Sequence, residues 1–380
     1  MLIFDKLFRG FNKKKKKQKI ELLENINGTY FSKNALILYM TAPFLPDNPN
    51  KTHQNMLQVK ELVKIVGNYK YNVDLVDFNN KLQLNRTYDL IIDIHPGIAP
   101  IYEHKMSPDC KKIAYITGSN PDFSIKAELL RVQAANSRTG ATLKQRRIVN
   151  LFRKDVLDTF DSFFLIGNEH TRSTFNEYAA NRFFLIRNTG YINFPQPDFS
   201  KKQTNNFLYF ASFGQIHKGF DLLLEVFSKN KNINLYVCSN FESEGDFYRA
   251  YKRYLYKNKN IFPIGFVDIN SKQYQQIADK CSYVVMPSCS EGMAGSILTG
   301  MSSGLIPIVS RECGLDEGDV YIFENCSIDC IDKTLTAFAR KSSEWIRHES
   351  SRIQQIVRDK YSMNNYREQI RAALTNIIPV

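Results

Sequence analysis

The stretch VVMPSCSEGMAGSILTGMSSGLIPIVS, Val284 to Ser310, decides the fold. It begins in a short apolar run, Tyr283 to Met286, which stops at Pro287 and reads as a buried strand. Pro287-Ser288-Cys289-Ser290-Glu291-Gly292-Met293-Ala294-Gly295 follows as a loop of small and polar residues. From Gly295 to Ser302, Ile297, Leu298 and Met301 recur at helical spacing, and Leu305 to Val309 is a second apolar strand. Strand, helix and strand in succession make a parallel unit, and parallel sheets take ligands beyond the carboxyl ends of their strands. The loop is therefore where chemistry belongs. Its backbone N–H groups near Gly292 to Gly295 suit an anion or sugar hydroxyls, and Glu291 can accept hydrogen bonds from hydroxyls. A Glu there also favours an ordinary helix start through the helix dipole.

The same alternation extends upstream. Strand Phe207–Ala211, helix Gly219–Phe227, strand Ile233–Val237, a helix near Phe247–Tyr256, strand Ile261–Ile264 and helix Lys272–Ala278 precede the quoted stretch. The first of these loops, Ser212-Phe213-Gly214-Gln215-Ile216-His217-Lys218-Gly219, leaves a strand and opens a helix. A Lys beside a helix N-terminus suits a phosphate or diphosphate, although Lys-Gly is also met at plain turns. A polar, proline-bearing linker, Asn193 to Asn206, separates this unit from an earlier one. That one has strands at Ala35–Thr41, Tyr71–Phe78, Leu90–Ile94, Lys112–Thr117, Ser162–Ile166 and Phe183–Ile186, and helices at Gln54–Val66, Ser124–Thr139 and Thr171–Ala180. The fold class expected is α/β, with two doubly wound, Rossmann-like domains facing a central cleft. Residues 1–30 form a basic amphipathic tail, 31–195 the first domain and 196–345 the second. Residues 346–380 form helices, capped at Ser362, expected to pack back toward the first domain.

The chain has 380 residues, 51 Lys plus Arg, 38 Asp plus Glu and a net charge of +13. More than half of that excess lies in residues 1–19, in Lys6, Arg9, Lys13 to Lys17 and Lys19, against Asp5 alone. So local a charge argues against a nucleic-acid-binding face. In the tail, Ile3, Phe4, Leu7, Phe8 and Phe11 fall on one side of a helix, followed by the lysine run. An apolar stripe beside a polybasic patch is the combination that lies on an anionic membrane surface; a docked helix with a solvated charge run is the alternative. No apolar run is long enough to span a bilayer, and Asp5, Lys6 and Arg9 interrupt a secretory signal. The expected location is the cytoplasm, peripheral on the inner face of the cell membrane. Seven scattered Cys with no CxxC pair, and His at no zinc spacing, read as reduced thiols and no metal. No GxGxxG or Walker lysine follows a strand, which removes dinucleotide and P-loop readings.

Three segments, FLYFASFGQIHKGFDLLLEVF (Phe207–Phe227), NIFPIGFVD (Asn260–Asp268) and the stretch quoted first, resemble in order and spacing the donor domain of GT-B retaining glycosyltransferases of family 4, glycosyltransferase group 1. The resemblance implies a nucleotide-sugar donor, with Lys218 on its diphosphate and Glu291 on the transferred sugar. Ser212, Gly214, Gly292, Met293, Ala294, Gly295 and Thr299 are then donor-binding, and Phe266 and Val267 border the base. It also places His95, at the end of a first-domain strand, against the donor sugar, and lets Thr117 to Asn120 line the same cleft. No cofactor or metal is implied, and the chain has no Asp-x-Asp. Two positions depart from the pattern. Thr299 stands where the family has the second Glu of its motif, and Ser212-Phe213 stands where it has Gly-Arg.

The activity so implied is retaining, metal-independent hexosyl transfer to a lipid-linked or polysaccharide acceptor, as in bacterial lipopolysaccharide or capsule synthesis. A sugar-nucleotide epimerase of the same architecture and a non-catalytic glycosyltransferase-like binding protein are the alternatives. A basic run, Lys144, Arg146, Arg147, Arg153 and Lys154, reads either as a face for anionic lipid or a pyrophosphate-linked acceptor, or as a solvated surface.

Overall fold

The computed structural model describes residues 21–45, 53–78, 82–94, 96, 99–147, 154–191 and 193–378. Residues 1–20 of the amphipathic tail and His95 lie outside the described residues; residues 21–30 are described and supply the short β1 below. In chain order the first domain contains β1 (Leu22–Leu23), β2 (Lys33–Tyr39), α1 (Gln54–Asn68), β3 (Tyr71–Asp77), β4 (Tyr88–Asp93), β5 (Met106–Ile116), α2 (Pro121–Thr139), α3 (Lys154–Leu157), β6 (Ser162–Ile166), α4 (Glu169–Ser173) and β7 (Phe183–Ile186). Its sheet runs β1-β3-β2-β4-β5-β6-β7 and is parallel except for the short β1. The second domain contains β8 (Gln203–Phe210), α5 (Phe220–Lys229), β9 (Asn234–Cys238), α6 (Gly245–Lys257), β10 (Ile261–Pro263), α7 (Lys272–Lys280), β11 (Cys281–Met286), α8 (Gly295–Ser302), β12 (Ile306–Val309) and β13 (Tyr321–Ile322). Its sheet runs β10-β9-β8-β11-β12-β13, parallel throughout. Three helices follow: α9 (Ile328–Ala339), α10 (Ser343–Lys360) and α11 (Met363–Ile377). Among the described residues no helix is long and apolar enough to cross a membrane.

Strand order reverses between β8 and β11 in the second sheet. Loops leaving the two strands of a switch point diverge to opposite faces and open a crevice between them. Those two loops are Ser212–Gly219 and Pro287–Gly295, so topology alone brings the two sequence-singled segments to one place.

The helix starts follow local rules. Asn120 accepts from the backbone N–H groups of Asp122 and Phe123, Ser342 from Trp345, and Ser362 from Asn365. A cap of this kind is worth about 1 kcal/mol. The helix expected over Thr171–Ala180 is only the short α4, Glu169–Ser173. Beyond it, Phe175 and Tyr178 turn into an aromatic cluster with Phe163 and Phe183. Their three-residue spacing serves a turned segment as well as a helix.

Helix α2 belongs to the first domain by chain position, yet its second half packs on the second. Val132, Ala135 and Leu143 join the core around Phe220, Leu223 and Phe247. Arg138 pairs with Asp221 and Glu225 of α5, at 2.6 and 2.9 Å. Just beyond the helix, Arg146 pairs with Asp246 of α6, whose carboxylate also accepts from the Lys144 N–H. At the other end of the chain, α10 packs on α8 and β12, and α11 crosses to α1, β6 and β7.

Candidate active site

Between the domains lies a cavity of about 720 Å³. The second domain lines it with residues from the ends of β8, β9 and β10, with Lys218 and Glu291, and with the first turn of α8. The first domain contributes His53, Gln54 and Asn55 at the start of α1, together with Arg147, Asn188 and Tyr191.

At the centre, Lys218 Nζ donates to Glu291 Oε1 at 2.6 Å. Ser288 Oγ donates to the same oxygen at 3.2 Å. Both partners of the ion pair are largely buried. Burial alone would raise the Glu291 carboxyl; Lys218, then Arg147 and His217, outweigh it and hold it down at about 2. His217 lies behind the pair, its Nε2 against the Ser290 carbonyl and 3.7 Å from Glu291 Oε1. Burial, with help from Arg147 and Lys218, drops the imidazole to about 3, so it is neutral at physiological pH.

The two loops touch at backbone distance. Cys289 N–H donates to the His217 carbonyl at 2.9 Å. Gly219 has φ +72°, and a Cβ there would sit 2.4 Å from the Pro287 carbonyl oxygen. The Lys-Gly pair is therefore more than a turn signal: Gly219 lets the Glu291 loop approach closely enough for Lys218 to reach it.

Of the expected donor-site residues, Lys218, Glu291, Ser212, Phe266, Val267, Ala294, Gly295 and Thr299 line this one cavity. Gly214, Gly292 and Met293 are not among the residues that line it, and each has a structural contact of its own. Gly214 N–H is taken at 2.6 Å by the buried carboxylate of Glu244, which also accepts from Gln215 N–H. Gly292 is wedged against the first domain, where a Cβ would lie 2.5 and 2.6 Å from the carbonyl oxygens of Thr117 and Ile166. Met293 is buried, and its carbonyl accepts from Asn188 Nδ2 at 2.9 Å. Ser119, expected in the cleft, instead meets Ser290, hydroxyl to hydroxyl at 2.6 Å. Thr299 faces the cavity, its hydroxyl donating back to the Gly295 carbonyl at 3.0 Å.

The basic run does not form one face. Arg146 is paired with Asp246 and Lys154 with Asp158, Arg153 lies outside the described residues, and Arg147 alone reaches the cavity. Sequence reasoning missed Glu244, Gln54 and Asn188. Gln54 Nε2 bridges the Thr189 carbonyl at 2.5 Å and the Gly295 carbonyl at 3.2 Å, and so ties α1 to the start of α8. Its place at a helix start was the only signal available.

Chemically, the cavity offers a buried ammonium–carboxylate pair and the N-termini of α1 and α8, with two exposed aromatic rings, Phe213 and Phe266, at its wall. Helix N-termini and a lysine suit phosphate oxygens, a carboxylate suits hydroxyls, and aromatic faces suit a planar ring.

Residues 204–343, most of the second domain, match the model of the family glycosyl transferases group 1. Among curated proteins none matches the sequence. Several solved structures share the fold. A mutant of S. aureus TarM in complex with Fondaparinux, alpha-GlcNAc-glycerol and UDP is 16% identical with a TM-score of 0.53, over 74% of this chain and 54% of that one. Anabaena Alr3699/HepE in complex with UDP and glucose is 11% identical with a TM-score of 0.60, over 91% and 100%. Sucrose-phosphate synthase from Thermosynechococcus elongatus is 10% identical with a TM-score of 0.62, over 90% and 99%. The chain thus spans about half the length of TarM and the full length of HepE. The architecture is GT-B: two Rossmann-like domains across a cleft.

Proposed function

We propose that the protein is a glycosyltransferase that moves a sugar from a nucleotide-sugar, with UDP as the nucleotide, to a lipid-linked or polysaccharide acceptor with retention of configuration. The observation that carries this reading is the Lys218–Glu291 pair at the switch point of a domain that matches glycosyl transferases group 1, in a cavity walled by both domains. The UDP present in the TarM and HepE structures supports the choice of nucleotide.

In this reading the diphosphate lies against Lys218 and the N-termini of α8 and α1, and the sugar hydroxyls meet Glu291. Glycosyl transfer builds negative charge on the departing diphosphate, and a fixed ammonium with aligned backbone dipoles stabilises that charge without reorganising. Glu291, ionised across the physiological range, accepts hydrogen bonds and is no proton donor. The leaving phosphate itself takes the acceptor proton on the face it vacates, which preserves configuration. The scheme calls on no metal. His95 remains a candidate for the sugar's far side, and residues 1–19 a candidate anchor that brings the enzyme to an anionic membrane surface and its acceptor, in bacterial surface polysaccharide synthesis.

The test is incubation with a panel of nucleotide-sugars and membrane extract. Release of free UDP with label entering lipid or polymer is the expected result. An altered sugar nucleotide formed without acceptor would mean an epimerase, and binding without turnover a non-catalytic protein.

A further inference from the structure

A nucleoside diphosphate brings two or three negative charges into whatever site holds it. The charged side chains lining the cavity are Lys218, Arg147, Glu291 and Asp268, and Lys218 is already neutralised by Glu291. Without Arg147 the wall is net negative, which opposes any diphosphate.

Arg147 is held there deliberately. The backbone N–H groups of Arg146 and Arg147 both donate to Glu128 Oε2, at 3.1 and 2.6 Å, so a buried carboxylate on α2 fixes where the chain turns into the cleft. Arg146 beside it is bound to Asp246 of the second domain. The Arg147 guanidinium has no ion-pair or hydrogen-bond partner among the described residues, and its Nε is buried without one. It stands 3.7 Å from the position a Cβ on Gly214 would take, beside Phe213 at the mouth of the Lys218 loop. An arginine with a buried, unpartnered N–H facing a cavity is a vacant fork for oxygen atoms.

We propose that Arg147, supplied by the first domain, is the cation that binds the donor diphosphate opposite Lys218, and that it takes over a charge the second-domain loop does not carry at Phe213. The assignment rests on the nucleotide-sugar reading above. It makes diphosphate binding a joint act of the two domains, because the segment that carries Arg147 is strapped to α5 and α6 by Arg138 and Arg146.

Calorimetry on the full chain tests it. The tightest binder among UDP, ADP and GDP is chosen, and its affinity is compared with that of the matching nucleoside. In Arg147→Ala the diphosphate is expected to weaken about 10- to 100-fold with the nucleoside unchanged, the size of a lost charge-assisted pair. Arg147→Lys should recover part of the loss, and so should Phe213→Arg placed on Arg147→Ala. Equal weakening of diphosphate and nucleoside, or no weakening at all in a variant with an unchanged melting midpoint, overturns the assignment while leaving the functional reading in place. Failure of every diphosphate to bind the unaltered protein overturns the functional reading and this assignment with it.

Discussion

The loop from Ser212 to Gly219 and the loop from Pro287 to Gly295 meet over the same cavity but are held by different parts of the molecule. The first is secured within its own domain: Glu244 takes the N–H groups of Gly214 and Gln215, and the Ser212 carbonyl accepts from Gln215 Nε2 and Ser239 Oγ. The second is stitched to the other domain. Its carbonyls at Pro287, Gly292, Met293 and Gly295 accept, in turn, from Arg131, Thr171, Asn188 and Gln54, all first-domain side chains. One loop is therefore a fixed wall, and the other is positioned by the meeting of the domains. The ion pair between Lys218 and Glu291 spans that division.

Cutting the pair should have the largest effect. Lys218→Ala and Glu291→Ala are each expected to lower transfer about 100- to 1,000-fold, the scale of losing a preorganised charge at a reacting centre. Each single change also strands a mostly buried charge. The double variant should therefore be less destabilised in urea than the sum of the singles. Additive losses would mean that the two loops are not coupled through this contact.

The next effect separates the loops by mechanism. Gly292→Ala pushes a methyl group into the Thr117 and Ile166 carbonyls. It should cost about 1–3 kcal/mol as overpacking, lower turnover at least tenfold and increase the radius of gyration in solution scattering as the domains part. Gly214→Ala should cost about 1–2 kcal/mol because of its φ of +89°, with the radius of gyration unchanged. A larger radius in both, or in neither, would erase the distinction.

Acid should weaken the contact through His217. Its folded pKa is about 3, far below the ordinary value of 6.5, so between those limits the unfolded chain binds a proton that the folded chain refuses. Stability therefore rises with pH across that window and is lost as pH falls, by on the order of 1 kcal/mol between neutrality and pH 5.5. Glu291, held at about 2, adds its own loss only below about pH 4.5. Between pH 7.5 and 5.5 the unfolding free energy from urea titration should fall for the unaltered protein by about this much more than for His217→Gln.

How legible all this was in the sequence follows the same division. Periodicity placed β6, β7 and α8 to the residue, because apolar spacing reports burial directly. Lys218 and Glu291 stood out because each sits between a strand and a helix, where a parallel sheet exposes its loops. Glu244 did not, since its targets are backbone N–H groups some thirty residues earlier, which no side-chain pattern encodes. Nor did the docking of α2. Val132 and Ala135 show that the helix has an apolar side, but not which sheet covers it. Arg147 was visible only as one member of a basic run, and its separation from Arg146 depends on where Glu128 turns the chain.

The smallest effect is expected at Thr299. The residue lines the cavity, but its hydroxyl already donates to the Gly295 carbonyl, an oxygen that also accepts from Gln54. Thr299→Val keeps the shape and removes only the hydroxyl, so the carbonyl retains a partner and no buried group is stranded. The donor KM should rise about two- to threefold with kcat unchanged, the signature of a weak contact felt equally in ground and transition states. A tenfold fall in kcat would place this end of α8 among the groups acting on the departing diphosphate. The loop set by the meeting of the domains would then carry catalysis as fully as the loop that presents Lys218.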